Sequence, residues 1–484
     1  MLPELSPGDQ DSTIPVANTA QPPPSPQPRY QVLDTLRGLS LLGALFISIW
    51  AFGGFSTTQQ NELLVQSKGG NYRLWGAVEL MFAGKMRALI CIVFGAGMVI
   101  FLSRKSSPGD VAAPDLFMRR QMWLMGFGLI NALLLLWPVD LLFHLGVIGI
   151  LLFPFVRMNA RGLWITAIVV TLVYAGKSYW NYSEDRSAYA KYTAVIAYEK
   201  KLSKDSLEAS KKKVPLKEQK KDSLSAKQKE DKAAWEGILK QHTHDPKNKD
   251  EGVKQMRNAS FAKIWNHLVQ AVQAREARWT YQTGVWDMAG MMLLGMALFK
   301  NRFFEPGQPR SRYLMIAIGC IAIGLLCGWY RLQFQQYALR DFTKYVIANW
   351  SPDNLLFPLE RAFMATGYAA GVLLLMRAGL LTFLWSAFAS VGRMALSNYL
   401  LQSIICTILF TGVGMGYFGR LQQYQLYLVV AEICIVQIVF SILWLRYFTY
   451  GPAEWMLRSL VNWKRLPNKL HESEAPAHAL PLHF

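Results

Sequence analysis

Long apolar runs separated by short polar connections organise this chain. They fall at residues 39–55, 88–102, 122–137, 141–156 and 163–180, and again at 285–299, 313–332, 355–376, 394–410 and 426–447. A helix of roughly 20 apolar residues crosses a hydrocarbon core of about 30 Å. The pattern therefore predicts an all-α fold, a polytopic membrane helical bundle of about ten transmembrane helices. Residues 74–102 are too long for one crossing, about 43 Å at roughly 1.5 Å per residue. The part holding Glu79, Lys85 and Arg87 is expected to be interfacial or re-entrant, with the span itself starting near Ala88. Those three either line a polar cavity or snorkel to the headgroups.

The two sets of runs are split by residues 181–258, rich in Lys and Glu and poor in apolar residues, read as a hydrophilic insertion broken at Pro215. This divides the chain into a disordered proline-rich tail (1–28), an N-terminal five-span bundle (29–180), the insertion, a C-terminal five-span domain (259–463) and a C-terminal tail (464–484). Residues 260–282, with Phe261, Ile264, Leu268 and Val272 at helical spacing, are expected to lie along the membrane as an amphipathic helix.

Composition agrees with this picture and removes alternatives. Of 484 residues, 52% are hydrophobic and 13% aromatic. The formal net charge is +19, but Lys and Arg lie between apolar runs or in the insertion, not along one face, so nucleic-acid binding is not expected. All five cysteines sit in apolar runs without ligand spacing, so neither a disulfide framework nor a metal site is indicated, and no cofactor motif is present. The expected partners are membrane lipids and a small-molecule or lipid-like substrate.

Orientation is read from the short loops. Alternate loops hold Arg104, Lys105, Arg119 and Arg120, then Arg157 and Arg161, then Lys300, Arg302, Arg310 and Arg312, then Arg377. The opposite loops hold only Lys68 and Arg73, then Arg331, Arg340 and Lys344, then Arg420. Positive loops face the cytoplasm, so both termini are expected inside a plasma membrane and the insertion outside.

Several ionisable residues sit where lipid gives them no solvent. Asp34 and Arg37, three apart at the start of the first run, share a helical face. Asp140 ends a tight connection, Trp137-Pro138-Val139-Asp140, and His144 lies one turn into the following run; it is either a satisfied core histidine or a catalyst. Glu360 and Arg361 point about 100° apart on a helix, so one is expected to face the bundle and the other the interface. Arg393, Asn398 and Gln402 are expected on one broad face of the ninth run, serving a pathway or plain interhelical hydrogen bonds. Glu432, among apolar neighbours, is expected to be protonated or paired, with Arg393 as partner. Glu454 and Arg458 are spaced to pair on a short final helix. Gly324 with Gly328, Gly367 with Gly371 and Gly412 with Gly416 offer small-residue spacing for close helix approach.

Five stretches resemble one family. They are Leu33-Asp34-Thr-Leu-Arg37-Gly38 with Leu41-Leu-Gly43; Gly84-Lys85-Met-Arg87 with Phe94-Gly95-Ala-Gly97; Gly290 to Gly295; Val391-Gly392-Arg393 through Ser397-Asn398-Tyr399 to Gln402-Ser403; and Gly451-Pro452-Ala-Glu454-Trp455 with Arg458. Together they resemble the YeiB-like bacterial inner-membrane proteins, domain of unknown function 418, usually described as transport-associated. The first half is also similar to the transmembrane acyltransferase superfamily, whose first span begins with a comparable Asp-x-x-Arg-Gly and whose chemistry centres on a histidine. Here Ser48 stands where many such enzymes carry histidine, and Asn131 where YeiB-like proteins tend to carry it. Neither can act as a base near neutrality. Two functions follow as expectations: movement of a small or lipid-like solute through a polar cavity lined by Asp34, Arg37, Glu79, Lys85, Arg87, Arg393 and Glu432, or acyl transfer with His144 or a carboxylate such as Glu79 as base.

Overall fold

The computed structural model describes residues 30–55, 57–103, 111–137, 139–211, 224–242, 249–305, 307–348 and 355–469. Arg104, Lys105, Pro138 and Pro215, which entered the sequence argument, fall outside them, as do both tails. Among the described residues the fold is helical, with one isolated antiparallel bridge between Phe448 and Lys469. The N-terminal helices are α1 (Gln31–Gly53), α2 (Thr57–Gln66), α3 (Gly69–Phe82), α4 (Lys85–Leu102), α5 (Ala113–Leu133), α6 (Leu142–Leu151) and α7 (Ala160–Lys211). The insertion carries α8 (Ala226–His242) and α9 (Lys249–Asn258). There follow α10 (Phe261–Gln273), a π-helical stretch Ala274–Gly284, α11 (Val285–Lys300), α12 (Arg310–Arg340) and α13 (Phe342–Ala348). Last come α14 (Phe357–Arg377), α15 (Thr382–Arg393), α16 (Ala395–Phe410), α17 (Gln423–Tyr447) and α18 (Pro452–Asn462).

Every predicted run is helical, but the expected ten crossings are not all supported. Among the described residues, six helical segments are long and apolar enough to cross: 31–53, 69–102, 160–204, 310–340, 357–377 and 423–447. The pair α15 and α16, bent by 82°, makes a seventh if counted as one broken span. The shortfall has physical causes. α6 has only 10 residues, α11 has 16, and α5 begins with Asp115, Arg119 and Arg120 in its first turns. From Asp287 to Leu298, α11 is buried at every position, so protein and not lipid surrounds it.

Helices from before and after the insertion pack directly on one another: α1 against α15, and α4 and α7 against α11. Glycine makes this approach possible. A Cβ on Gly38 would collide with the Phe388 carbonyl, and one on Gly392 with the Asp34 carbonyl, so the α1 and α15 backbones touch. Gly95 and Gly295 stand in the same reciprocal relation to Met292 and Ile92, joining α4 to α11. Of the spaced pairs, Gly324 and Gly328 meet Met364 and Glu360 across α12 and α14, and Gly367 meets Ile321. Gly371 has nothing near it, and Gly412 and Gly416 lie in the turn after α16, against Arg257 and Ala259.

The insertion is more than a solvated arm. α7 runs straight into it, and α8 folds back along α7. Trp235, 2% exposed, packs there with Tyr182, Tyr189 and Tyr192 and with Phe342 and Tyr345 near α13. Aromatic residues, few in number but large, build the small core that the Lys-rich text conceals.

Candidate functional site

The charges of the first long apolar segment turn inward. Ala83 and Gly84 break α3 from α4; Gly84 has φ +72°, and a Cβ there would meet Phe357 at 2.9 Å. This break aims the Lys85 ammonium back at the Glu79 carbonyl, 2.9 Å away. The same ammonium lies 2.5 Å from Glu360 Oε1, with both side chains fully buried. Glu360 Oε2 accepts from Arg331 Nε at 2.8 Å, and Arg331 Nη2 donates to Glu79 at 3.0 Å. Two cations and two anions from α3, α4, α12 and α14 thus form a closed quartet. Glu79 and Lys85 therefore pair inside the protein and do not snorkel to headgroups, and Arg331 lies within α12 and not in an outer loop: α12 continues nine residues beyond it, to Arg340.

Arg361 faces the other way and is equally buried. It contacts the Asp287 carboxylate, which also accepts from Arg87 Nη2 at 2.8 Å. Its guanidinium lies 4.2 Å from the Phe357 ring centroid. Glu360 and Arg361 therefore both face protein, and neither reaches the membrane interface; a helix enclosed by α4, α7 and α12 has no lipid side at that level.

Next to the second cluster lies a third group, on the π-helical stretch. π turns are rare and concentrate at functional sites. Here one carries Arg275, Glu276 and Trp279. His144, fully buried on α6, has Nε2 3.7 Å from Glu276 Oε2 and packs edge-on to Trp279 at 4.9 Å. Neither imidazole nitrogen and neither Glu276 oxygen makes a hydrogen bond of good geometry, and the buried Nε atoms of Arg87 and Arg275 have none either. The Arg275 guanidinium lies 4.2 Å from the Trp279 ring and that of Arg87 5.6 Å from it, so two cations share one indole. Burial, with Asp140 nearby, pushes the Glu276 carboxyl up to about 8. It holds its proton at neutral pH and leaves the arginines in excess.

Asn131 and Asp140 complete the surroundings. Asn131 Nδ2 donates to Asp140 Oδ1 at 2.8 Å, and Asp140 Oδ2 accepts the Phe143 N–H at 2.8 Å, anchoring the start of α6. The Leu141 N–H donates to the Tyr399 hydroxyl oxygen at 3.0 Å, tying this turn to α16. Burial raises the Asp140 carboxyl to about 6 against these bonds.

The remaining candidates lie outside these three groups. Asp34 and Arg37 pair with each other at 2.9 Å at the start of α1. Arg393 ends α15, reaching the Thr449 carbonyl at 3.5 Å, and the bend at Met394 takes it off the face of Asn398 and Gln402. Asn398 donates to Ser441 and Gln402 to Gln437, whose amide in turn donates to the Asn398 carbonyl, a ladder between α16 and α17. Glu432 lies on the exposed face of α17, whose buried stripe is Leu426, Val430, Ile433, Gln437 and Ser441; it does not join Arg393. Glu454 accepts the N–H groups of Leu396 and Ser397 and the Ser397 hydroxyl, capping α16 from α18. Sequence reasoning missed Arg275, Glu276 and Asp287, although Asp287 is a lone carboxylate two residues into an apolar run.

Fold and site together define a polytopic helical membrane protein whose interior holds paired charges and a separate, unsatisfied polar group. Residues 298–464 match the family described as protein of unknown function (DUF418). The chain is 28% identical over 456 residues to the uncharacterized protein YeiB of Escherichia coli, covering 89% of this chain and 96% of that protein. It is 24% identical over 454 residues to the uncharacterized protein YxaH of Bacillus subtilis, covering 91% and 96%. The chain is thus similar over most of its length to YeiB and YxaH, and its C-terminal part carries the DUF418 match. No solved structure matches it.

Proposed function

We propose that this protein binds and moves a small or lipid-like solute through the polar interior around His144 and Glu276, surrounded by membrane lipids, with both termini cytoplasmic and the insertion outside. The supporting observation is the buried His144–Glu276 pair at 3.7 Å, whose hydrogen-bonding atoms find no protein partner of good geometry. Buried polar groups are nearly always satisfied, and exceptions mark functional positions. The two ion clusters beside it are held by pairing of opposite charges and act as its frame. The test compares solute pools in cells lacking the protein with cells expressing wild type, His144→Ala or Glu276→Gln at equal membrane levels. Wild type alone should restore the altered pool; variants that restore it as well would remove His144 and Glu276 from the pathway.

Acyl transfer is the second reading, favoured by the same imidazole beside a carboxyl group, an arrangement able to activate an acceptor hydroxyl. It requires label from an acyl donor to reach an acceptor in reconstituted membranes, and His144→Ala to stop it. Absence of transfer across several donors would leave solute movement alone.

A further inference from the structure

The solute-binding reading leaves open what the interior recognises, and the charge arrangement answers this. Arg87, Arg275 and Arg361 converge on one region: the first two share the Trp279 indole, and Arg87 and Arg361 share the Asp287 carboxylate. Like charges in a weakly polar interior repel strongly, and an arrangement that holds them together requires a counter-charge. Asp287 supplies one. The nearby Asp140 carboxyl is already committed to Asn131 and the Phe143 N–H. Arg87 and Arg361 thus share one carboxylate, Asp287, while burial favours the protonated form of Glu276 beside Arg275.

Donors are also available. The Arg87 and Arg275 Nε atoms are buried without hydrogen bonds, and no salt bridge to Arg275 occurs among the described residues. The wholly buried His144, whose ring nitrogens make no hydrogen bond of good geometry, meets the same indole from α6. The Arg87 side chain is 28% exposed, so the group is reachable from outside the protein. Guanidinium forks match the planar oxygen pairs of phosphate and carboxylate groups, and arginine is favoured wherever phosphate is recognised away from bulk water.

Resting on the solute-binding reading, we propose that Arg275, Arg87 and Trp279, with His144 opposite, form a binding site for a phosphate group, carried by a lipid head group or by a free solute.

The test uses the full-length protein in nanodiscs. In discs of phosphatidylcholine alone, inorganic phosphate is titrated while the unfolding midpoint is followed; in a second set, phosphatidylglycerol replaces part of the lipid. A saturable rise with inorganic phosphate identifies a free anion, and a rise with phosphatidylglycerol alone identifies a lipid head group. In either case Arg275→Gln should weaken the response at least tenfold, with Arg275→Lys intermediate because it keeps the charge but loses the fork. Arg275 lies outside the ion quartet, so the unliganded variant should unfold near wild type; if it does not, Trp279→Leu provides the comparison by the same readout. No response to either probe, or equal responses in wild type and the variant, would overturn the site. A phosphate response together with unaltered solute pools in His144→Ala would keep the site and reject the transport reading.

Discussion

Glu360 and Arg361, neighbours in the chain, anchor two different buried charge clusters: Glu360 lies 2.5 Å from Lys85 and 2.8 Å from Arg331, while Arg361 contacts Asp287. α4 mirrors this, with Lys85 serving one cluster and Arg87 the other. Two adjacent helices therefore hold both clusters in register.

Breaking a buried ion pair from one side costs far more than the pair contributes, because an uncompensated charge is left behind. Glu360→Leu should destabilise the protein by roughly 3–5 kcal/mol, and adding Lys85→Met should recover part of that loss. Unfolding in detergent gives both values. A Glu360→Leu protein as stable as wild type would show that the quartet is hydrated and not buried.

The α1–α15 contact leaves no room for a methyl group. Gly38→Ala and Gly392→Ala should each cost at least about 1–3 kcal/mol, the usual penalty for overpacking. Gly97→Ala, whose added Cβ meets nothing within 4 Å, should be neutral or stabilising by up to about 1 kcal/mol, since alanine favours helix. Unfolding midpoints of the three variants should separate accordingly.

Glu454, beyond the last apolar helix, is expected to confer a pH dependence. Burial raises its carboxyl above the ordinary glutamate value, although Ser397 and the α16 N–H groups pull the other way. The folded state therefore holds the proton more tightly than the unfolded chain. The stability gained is full below the ordinary glutamate range and drains as pH rises through the raised folded value. Wild type should lose stability over that interval and Glu454→Gln should not, as read by unfolding midpoints at stepped pH.

Trp235→Ala should release α8 from α7. Removing a buried tryptophan costs roughly 3–5 kcal/mol, and here the loss falls on one satellite core. Limited proteolysis should cut 226–242 faster while the apolar helices stay protected. Uniform loss of protection would mean that the insertion supports the whole bundle.

Much of the fold was legible because lipid-length apolar runs are a local property. Each run from 39–55 to 426–447 is helical, and the burial of Glu360 follows the rule that charges inside such runs turn to protein. Pairing was not legible. Arg331 meets Glu79 across 252 positions and Arg87 meets Asp287 across 200. No spacing rule reaches that far, and sequence reasoning placed Arg331 in a loop. Glu432 failed in the opposite direction: an ionisable residue in an apolar run was taken to face inward, whereas α17 buries the stripe beside it.

The chain by itself determined that this is a helical membrane protein with a hydrophilic interruption, since hydropathy and helical period act over tens of residues. Only the tertiary structure decided which charges meet, that α15 and α16 bend between Arg393 and Asn398, and that a π-helical turn carries Arg275 and Glu276 to His144. Those relations depend on backbone contacts at Gly38, Gly392, Gly95 and Gly295, where segments far apart in sequence come within touching distance.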